Sequence, residues 1–151
     1  MPSRNRLFPT IALVLLTTLG VRGGSAAEDQ LTVNHAWIQE GPPGLEVLAG
    51  FVDLENRSAR DITVAAIETP VAERVEIHLT EIKDNMATMS HLHELTVKAG
   101  ARIAFSHGGH HLMLFGVREP LHAGDKIELH VRTTDGAVIK ATAEVRKDEA
   151  Q

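Results

Sequence analysis

The feature that most limits how this chain can fold is a series of short strand-like segments, separated by turn-forming residues, over residues 31–145. One of the clearest has Val75 and Ile77 alternating with Glu76 and His78, which is typical of a strand with one buried face. Eight or nine such segments follow one another at a spacing of roughly 8–12 residues, and few segments have helical periodicity. The pattern predicts an all-β protein, built as a Greek-key β-sandwich or a small barrel.

Turn-forming residues indicate where these strands end. Asp135-Gly136 is the strongest short hairpin signal in the chain, and Lys83-Asp84-Asn85 is a turn that joins two strands into a second hairpin. The predicted strands cover residues 31–38, 47–54, 61–67, 74–80, 86–93, 102–105, 111–115, 126–133 and 137–145.

Residues 1–27 are predicted to be a cleaved export signal, and residues 28–151 a single domain. Arginines precede an apolar run over residues 8–19, which is shorter than the roughly 20 residues that a membrane-spanning helix needs. Small residues at positions 25–27 then provide a cleavage site. We therefore expect a periplasmic protein with no membrane span after cleavage.

Composition excludes several classes of function. Without the three arginines of the leader, the mature chain has 12 Lys and Arg against 20 Asp and Glu, a net charge of −8, which disfavours nucleic acid as a partner. The sequence contains no cysteine, so it forms no disulfide and carries no cysteine-linked lipid. We find no nucleophile elbow, phosphate-binding loop or HExxH pair, and we expect the protein not to be an enzyme.

The short segment that begins at His111 carries unusual chemistry for a strand. Alternation places Leu112 and Leu114 on one face, which reads as core, and His111, Met113 and Phe115 on the other, which reads as exposed. An imidazole beside a thioether is not a typical solvated surface. This pair therefore indicates a metal site.

Two further candidate donors lie on neighbouring predicted strands. His78, Met89, His111 and Met113 follow the spacing His-x10-Met-x21-His-x-Met, and adjacent strands bring side chains within about 5 Å of one another. A set of imidazole and thioether donors is soft and uncharged. It suits Cu(I) and is poorly suited to the hard cations that prefer oxygen.

With this spacing, the sequence resembles the periplasmic copper chaperone PCu(A)C family over about residues 31–145. The resemblance also rests on short motifs on either side of the candidate donors, namely Ala36-Trp37-Ile38, Pro42-Pro43-Gly44, Gly108-Gly109, His111-Leu112-Met113-Leu114, Pro120-Leu121 and Gly124-Asp125. It implies a cupredoxin-like β-sandwich that binds one Cu(I) at an exposed site.

Carried over to this chain, the resemblance makes His78, Met89, His111 and Met113 the copper ligands. It implies transfer of Cu(I) by ligand exchange, toward the copper centres of cytochrome c oxidase. The acceptor would be oxidase subunit II or a Sco-type thiol chaperone, and the carrier itself would be a monomer.

The sequence departs from the family at positions beside the site, and this leaves an alternative open. His107 stands where the family commonly has proline, and His110 where it commonly has an aromatic residue. Together with His111 they could form the site of a periplasmic Cu(II) or zinc buffer, with His91 and His93 as further ligands.

Two other classes of β-sandwich fit the sequence less well. An electron-transfer cupredoxin requires a cysteine thiolate, which is absent. A metal-free adhesion or assembly domain leaves the spacing of the four donors unexplained.

Overall fold

The computed structural model describes residues 30–147, and every regular element in that range is a β-strand. In chain order the strands are β1 (Leu31–Gln39), β2 (Val47–Asn56), β3 (Ile62–Glu68), β4 (Arg74–Lys83), β5 (Met86–Leu92), β6 (Leu95–Val97), β7 (Arg102–Ala104), β8 (His110–Phe115), β9 (Lys126–Thr133) and β10 (Val138–Arg146). Nowhere in this range is there a helix with the length and apolarity needed to cross a bilayer. The export signal over residues 1–27 falls outside the described residues, and the boundaries of the domain stay a prediction.

The strands follow one hydrogen-bonded order, β5-β4-β8-β2-β1-β10-β9-β3-β6, and β7 pairs with β2 beside this path. Neighbours are antiparallel except for β1 and β10, which run parallel. A single cluster of buried apolar residues is enclosed between the half that ends at β5 and the half that ends at β6. The predicted all-β sandwich is confirmed.

Strand β6 is the element that the sequence pattern missed. It has three residues, of which Leu95 and Val97 are buried and Thr96 is exposed, and it pairs with β3. A strand this short does not produce a recognisable period of alternation. The other nine strands match the predicted segments to within a few residues.

The hairpin of β4 and β5 has the predicted turn. Asp84 and Asn85 have φ angles of 52° and 61°, and Lys83 pairs directly with Met86 on either side of them. A two-residue loop with both residues in the left-handed region matches the twist of a hairpin, and Asp and Asn tolerate that region better than most residues. The turn fixes the register that sets β5 against β4.

The core lies under β8 and β2. Leu112 and Leu114 are fully buried, as their position on the inward face predicted. Trp37 is half-buried against this core and stacks on Phe51 with ring centroids 4.6 Å apart. Trp37 and Phe51 are directly paired in β1 and β2, so their rings share one face of the sheet.

Candidate metal centre

The register of three adjacent strands places all four candidate ligands on one face. His78 of β4 lies directly opposite His111 of β8, and Met113 lies one same-face position further along β8. On the other side of β4, Met89 of β5 pairs with Thr80, the next residue on the same face as His78. Directly opposed residues project from the same face of a sheet, so the four side chains lie on one surface.

Three of the four candidates line a common cavity. Met89, His111 and Met113 border a space of about 340 Å³. The segment that joins β1 to β2 and the start of β2 supply much of the remaining wall, with Gly41, Pro42, Leu45, Val47 and Ala49. His78 is not among the described residues that line this cavity. Its ring centroid lies 5.7 Å from that of His111.

His111 is more buried than the sequence predicted. It was expected on an exposed face, yet only 9% of it is accessible. The cause is its place on a strand held between β4 and β2, beside a cavity walled by the segment that joins β1 to β2. Its Nδ1 lies 3.0 Å from the carbonyl oxygen of Gly109, so Nδ1 carries the proton and Nε2 carries a lone pair available to a metal.

His78 is also largely buried, with 12% of its side chain accessible. Its Nε2 lies 2.9 Å from Oε2 of Glu76, while its Nδ1 is buried and lacks a hydrogen-bond partner among residues 30–147. A buried polar atom without a partner is costly and uncommon in proteins. A ring nitrogen of this kind fits the donor of a metal ligand.

Glu76 supports His78 and was missed by the sequence analysis. The hydrogen bond with His78 is the largest cause that lowers its pKa, to about 2, and Arg74 is the second, with Nε 2.8 Å from Oε1. The guanidinium of Arg74 in turn lies 4.2 Å from the centre of the Phe115 ring. Alternation along β4 puts residues 74, 76 and 78 on one face, so the sequence did contain the signal for this chain of contacts.

The two thioethers differ in exposure. Met89 lies on the edge strand β5 and is 54% accessible, whereas Met113 lies on the inner strand β8 and is half-buried. Met86, also on β5, is 69% accessible and is not among the described residues that line this cavity. A thioether has no proton to lose when it binds a soft ion, so Met89 and Met113 can both bind one despite their different exposure.

His91 and His93 extend the row of imidazoles toward the sheet edge. The ring centroid of His91 is 5.5 Å from that of His78, and that of His93 is 4.6 Å from that of His91. Both side chains are exposed on or just beyond β5.

The histidines of the rival Cu(II) or zinc site do not come together. His107 packs on Phe51, with ring centroids 4.4 Å apart, and His110 packs near Phe105 at 5.6 Å, where burial lowers the pKa of His110. His111 points into the cavity described above. Over the described range, no group of three or more His, Asp or Glu side chains is arranged to hold a metal ion. The alternation of β8 separates His110 from His111, and the turn before it carries His107 onto the aromatic pair.

Comparison with known sequences shows a matching family and a relative of this chain. The model of the family described as "Putative lipoprotein LpqE-like" matches residues 31–145. A curated relative from Leifsonia xyli subsp. xyli, "Putative lipoprotein Lxx21020", is 29% identical over 119 residues, which cover 78% of this chain and 70% of the relative.

Solved structures of similar fold include proteins with copper bound. The solution structure of Cu(I)-DR1885 from Deinococcus radiodurans has a TM-score of 0.65 and 27% identity, and the match covers 83% of this chain and 84% of that one. The copper-bound PCuAC domain from PmoF2 has a TM-score of 0.67 at 14% identity, over 78% of this chain and 93% of that domain. At that identity the likeness is one of fold, and it establishes the cupredoxin-like sandwich.

Proposed function

The chain belongs to the LpqE-like family, and we propose that it is an exported copper chaperone that binds one Cu(I) through His78, Met89, His111 and Met113. The observation that carries this proposal is the shared face of β5, β4 and β8, with two imidazoles and two thioethers in register. His78 Nδ1 has no hydrogen-bond partner among residues 30–147, and the hydrogen bond from His111 Nδ1 to the carbonyl oxygen of Gly109 leaves the lone pair of that ring on Nε2. The copper-bound relatives of the same fold support the choice of metal.

The donor set favours Cu(I) over harder or more highly charged ions. Thioether sulfur is a soft donor, and neither ligand type brings a negative charge to stabilise a divalent ion. Thioethers also remain ligands under oxidising conditions in which exposed thiols form disulfides. A copper carrier outside the cytoplasm can therefore use methionine where an intracellular carrier uses cysteine.

Transfer proceeds by exchange of ligands, with no bond-making catalysis. Met89 is the most exposed of the four donors, so an incoming thiolate or thioether can replace it first. The imidazoles, which are largely buried, hold the ion until the acceptor has supplied enough donors. We propose cytochrome c oxidase subunit II or a Sco-type thiol chaperone as the acceptor, and a monomeric carrier.

Two independent observations support the proposal that the protein is exported. The family description names a lipoprotein, and residues 1–27 have the composition of an export signal. We place the protein in the periplasm, where it would meet copper enzymes that are assembled at the membrane surface.

Anaerobic titration with Cu(I), combined with X-ray absorption at the copper edge, tests the proposal. We expect one equivalent bound in a mixed nitrogen and sulfur shell, and less sulfur in the Met113→Leu variant. Met86→Leu is the matched control, because this thioether lies outside the cavity, and it should leave the shell unchanged. A shell without sulfur, or tighter binding of Cu(II) and zinc that survives both changes, would overturn the four-ligand site and favour a histidine-based buffer.

A further inference from the structure

We propose that Glu76 is a positioning residue that fixes the tautomer of His78, so that His78 binds copper through Nδ1 while His111 binds it through Nε2. The inference rests on the proposed copper site and specifies which atoms form it. It assigns a role to a carboxylate that is not itself a ligand.

The hydrogen bond between His78 and Glu76 determines where the imidazole proton lies. Nε2 of His78 is 2.9 Å from Oε2 of Glu76. An ionised carboxylate only accepts hydrogen bonds, so Nε2 must be the donor and carry the proton. In a neutral ring the lone pair then lies on Nδ1. That nitrogen is buried and has no hydrogen-bond partner among residues 30–147.

Glu76 is well placed to remain ionised and immobile. Its second oxygen accepts from Arg74 at 2.8 Å, and the Arg74 guanidinium lies over the Phe115 ring at 4.2 Å. Glu76 is also directly opposite Met113, so it borders the same face as the ligands.

His111 uses the opposite arrangement. Its Nδ1–H donates a hydrogen bond to the carbonyl oxygen of Gly109 at 3.0 Å. The lone pair that can bind a metal therefore lies on Nε2. In an imidazole side chain, Nδ1 lies nearer to the backbone than Nε2. Copper bound by Nδ1 of His78 and Nε2 of His111 would therefore lie close to β4 and further from the backbone of β8.

The rival geometry makes the opposite prediction for a Glu76 variant. If His78 bound copper through Nε2, then the Glu76 carboxylate would occupy the position of the metal and compete with it. Removing the carboxylate would then tighten copper binding. If Glu76 positions His78 as proposed, its removal weakens binding, because outer partners of metal-bound imidazoles typically contribute 10–100-fold to affinity.

The experiment compares Glu76→Ala and Glu76→Gln with a control on the same strand, Glu81→Ala, which removes an exposed carboxylate from the opposite face. Cu(I) affinity is measured by competition with a chromophoric Cu(I) chelator. We expect Glu76→Ala to lose about 10–100-fold. Glu76→Gln should retain most of the affinity, because its amide oxygen still accepts from Nε2, and Glu81→Ala should match the native protein.

Long-range 1H–15N spectra add a readout that a purely structural role would not change. In the copper-free native protein, His78 should show the Nε2-protonated tautomer, and this preference should be lost in Glu76→Ala. Because Cu(I) is diamagnetic, the spectrum of the loaded protein identifies the nitrogen whose shift changes on binding. Tighter binding by Glu76→Ala, or a change at Nε2 of His78, would overturn the proposal. Failure of the native protein to bind Cu(I) would instead reject the copper site itself, while the copper-free spectrum would still test the tautomer.

Discussion

The inner strands and the edge strand contribute to the proposed copper site in different ways. On β4 and β8, His78 and His111 are almost covered, and each ring is oriented by a hydrogen bond through one nitrogen. On β5, nearly every residue is exposed, and Met89 is 54% accessible. The proposed site therefore combines a fixed half, made by the two imidazoles, with an accessible half at the sheet edge.

This difference matches the two requirements of a carrier. Oriented, buried ligands lower the cost of assembling the site, because little side-chain freedom remains to be lost on binding. An exposed thioether without a covering strand can leave the metal and be replaced at little structural cost. The following predictions test this difference.

The largest effect should be on the free energy of unfolding, from a substitution in the core beneath the two imidazoles. Leu112 is fully buried, so Leu112→Ala should lower the free energy of unfolding by about 2–5 kcal/mol through lost burial and the cavity left behind. Thr88→Ala, at an exposed position of β5, should change it by less than about 0.5 kcal/mol. Urea denaturation of the copper-free proteins measures both. Equal losses would show that the edge strand is as integral to the fold as β8.

The next largest effect should be on copper affinity when a fixed ligand is removed. His111→Ala should weaken Cu(I) binding by more than about 100-fold, the upper range for loss of a mere supporting partner. His93→Ala, which removes an exposed imidazole near the edge, should have little effect. Chelator competition measures the ratio, and circular dichroism checks that both variants are folded. A comparable loss in His93→Ala would make the outer histidines part of the site.

Loss of the accessible ligand should have a smaller effect on affinity and a clear effect on rate. Leucine keeps the volume of methionine, so Met89→Leu should weaken Cu(I) binding by only roughly tenfold while speeding its release to a chelator. Met86→Leu on the same strand is the control and should behave as the native protein. Stopped-flow transfer kinetics test this difference. Unchanged release in Met89→Leu would argue that exchange begins elsewhere.

The smallest effect should be on the pH dependence of stability, through Glu76, the carboxylate that orients His78. The folded-state pKa of Glu76 is about 2, below its ordinary value of 4.5. The contribution of its contacts with Arg74 and His78 to stability is therefore complete above about pH 4.5 and is lost as the pH falls toward 2. The difference in unfolding free energy between the native protein and Glu76→Gln should shrink across this window. A difference that stays constant down to pH 2 would contradict the assigned contacts.

Much of the fixed half was predictable from local sequence. Alternation correctly placed Leu112 and Leu114 in the core and His111 and Met113 on the opposite face of β8, although not the burial of His111, and the turn at residues 83–85 set the hairpin that carries Met89. These signals work because strand periodicity and turn chemistry act over a few residues. The choice of the four proposed ligands came from the resemblance, and it stays a prediction.

What the sequence did not reveal depends on contacts between distant segments. The burial of His111 depends on a cavity wall that includes Pro42 and Leu45, about 70 residues earlier in the chain. His107 lies in a turn in which Gly108 has a φ of +78°, so alternation could not indicate that its ring would pack on Phe51. The spacing of two residues between Glu76 and His78 predicts that they share one face of β4, but only the structure shows the hydrogen bond between them.

The parallel pairing of β1 with β10 also affects how the chain folds. Trp37 pairs with Glu144, so the first strand cannot complete its hydrogen bonds until nearly the whole sequence is available. Contacts between residues so far apart in sequence make folding slow, and they keep the sandwich from closing around a partial chain. A protein that crosses a membrane before it folds benefits from this delay. Trp37 is also the only tryptophan in the sequence, so its fluorescence can time the closure of the sandwich.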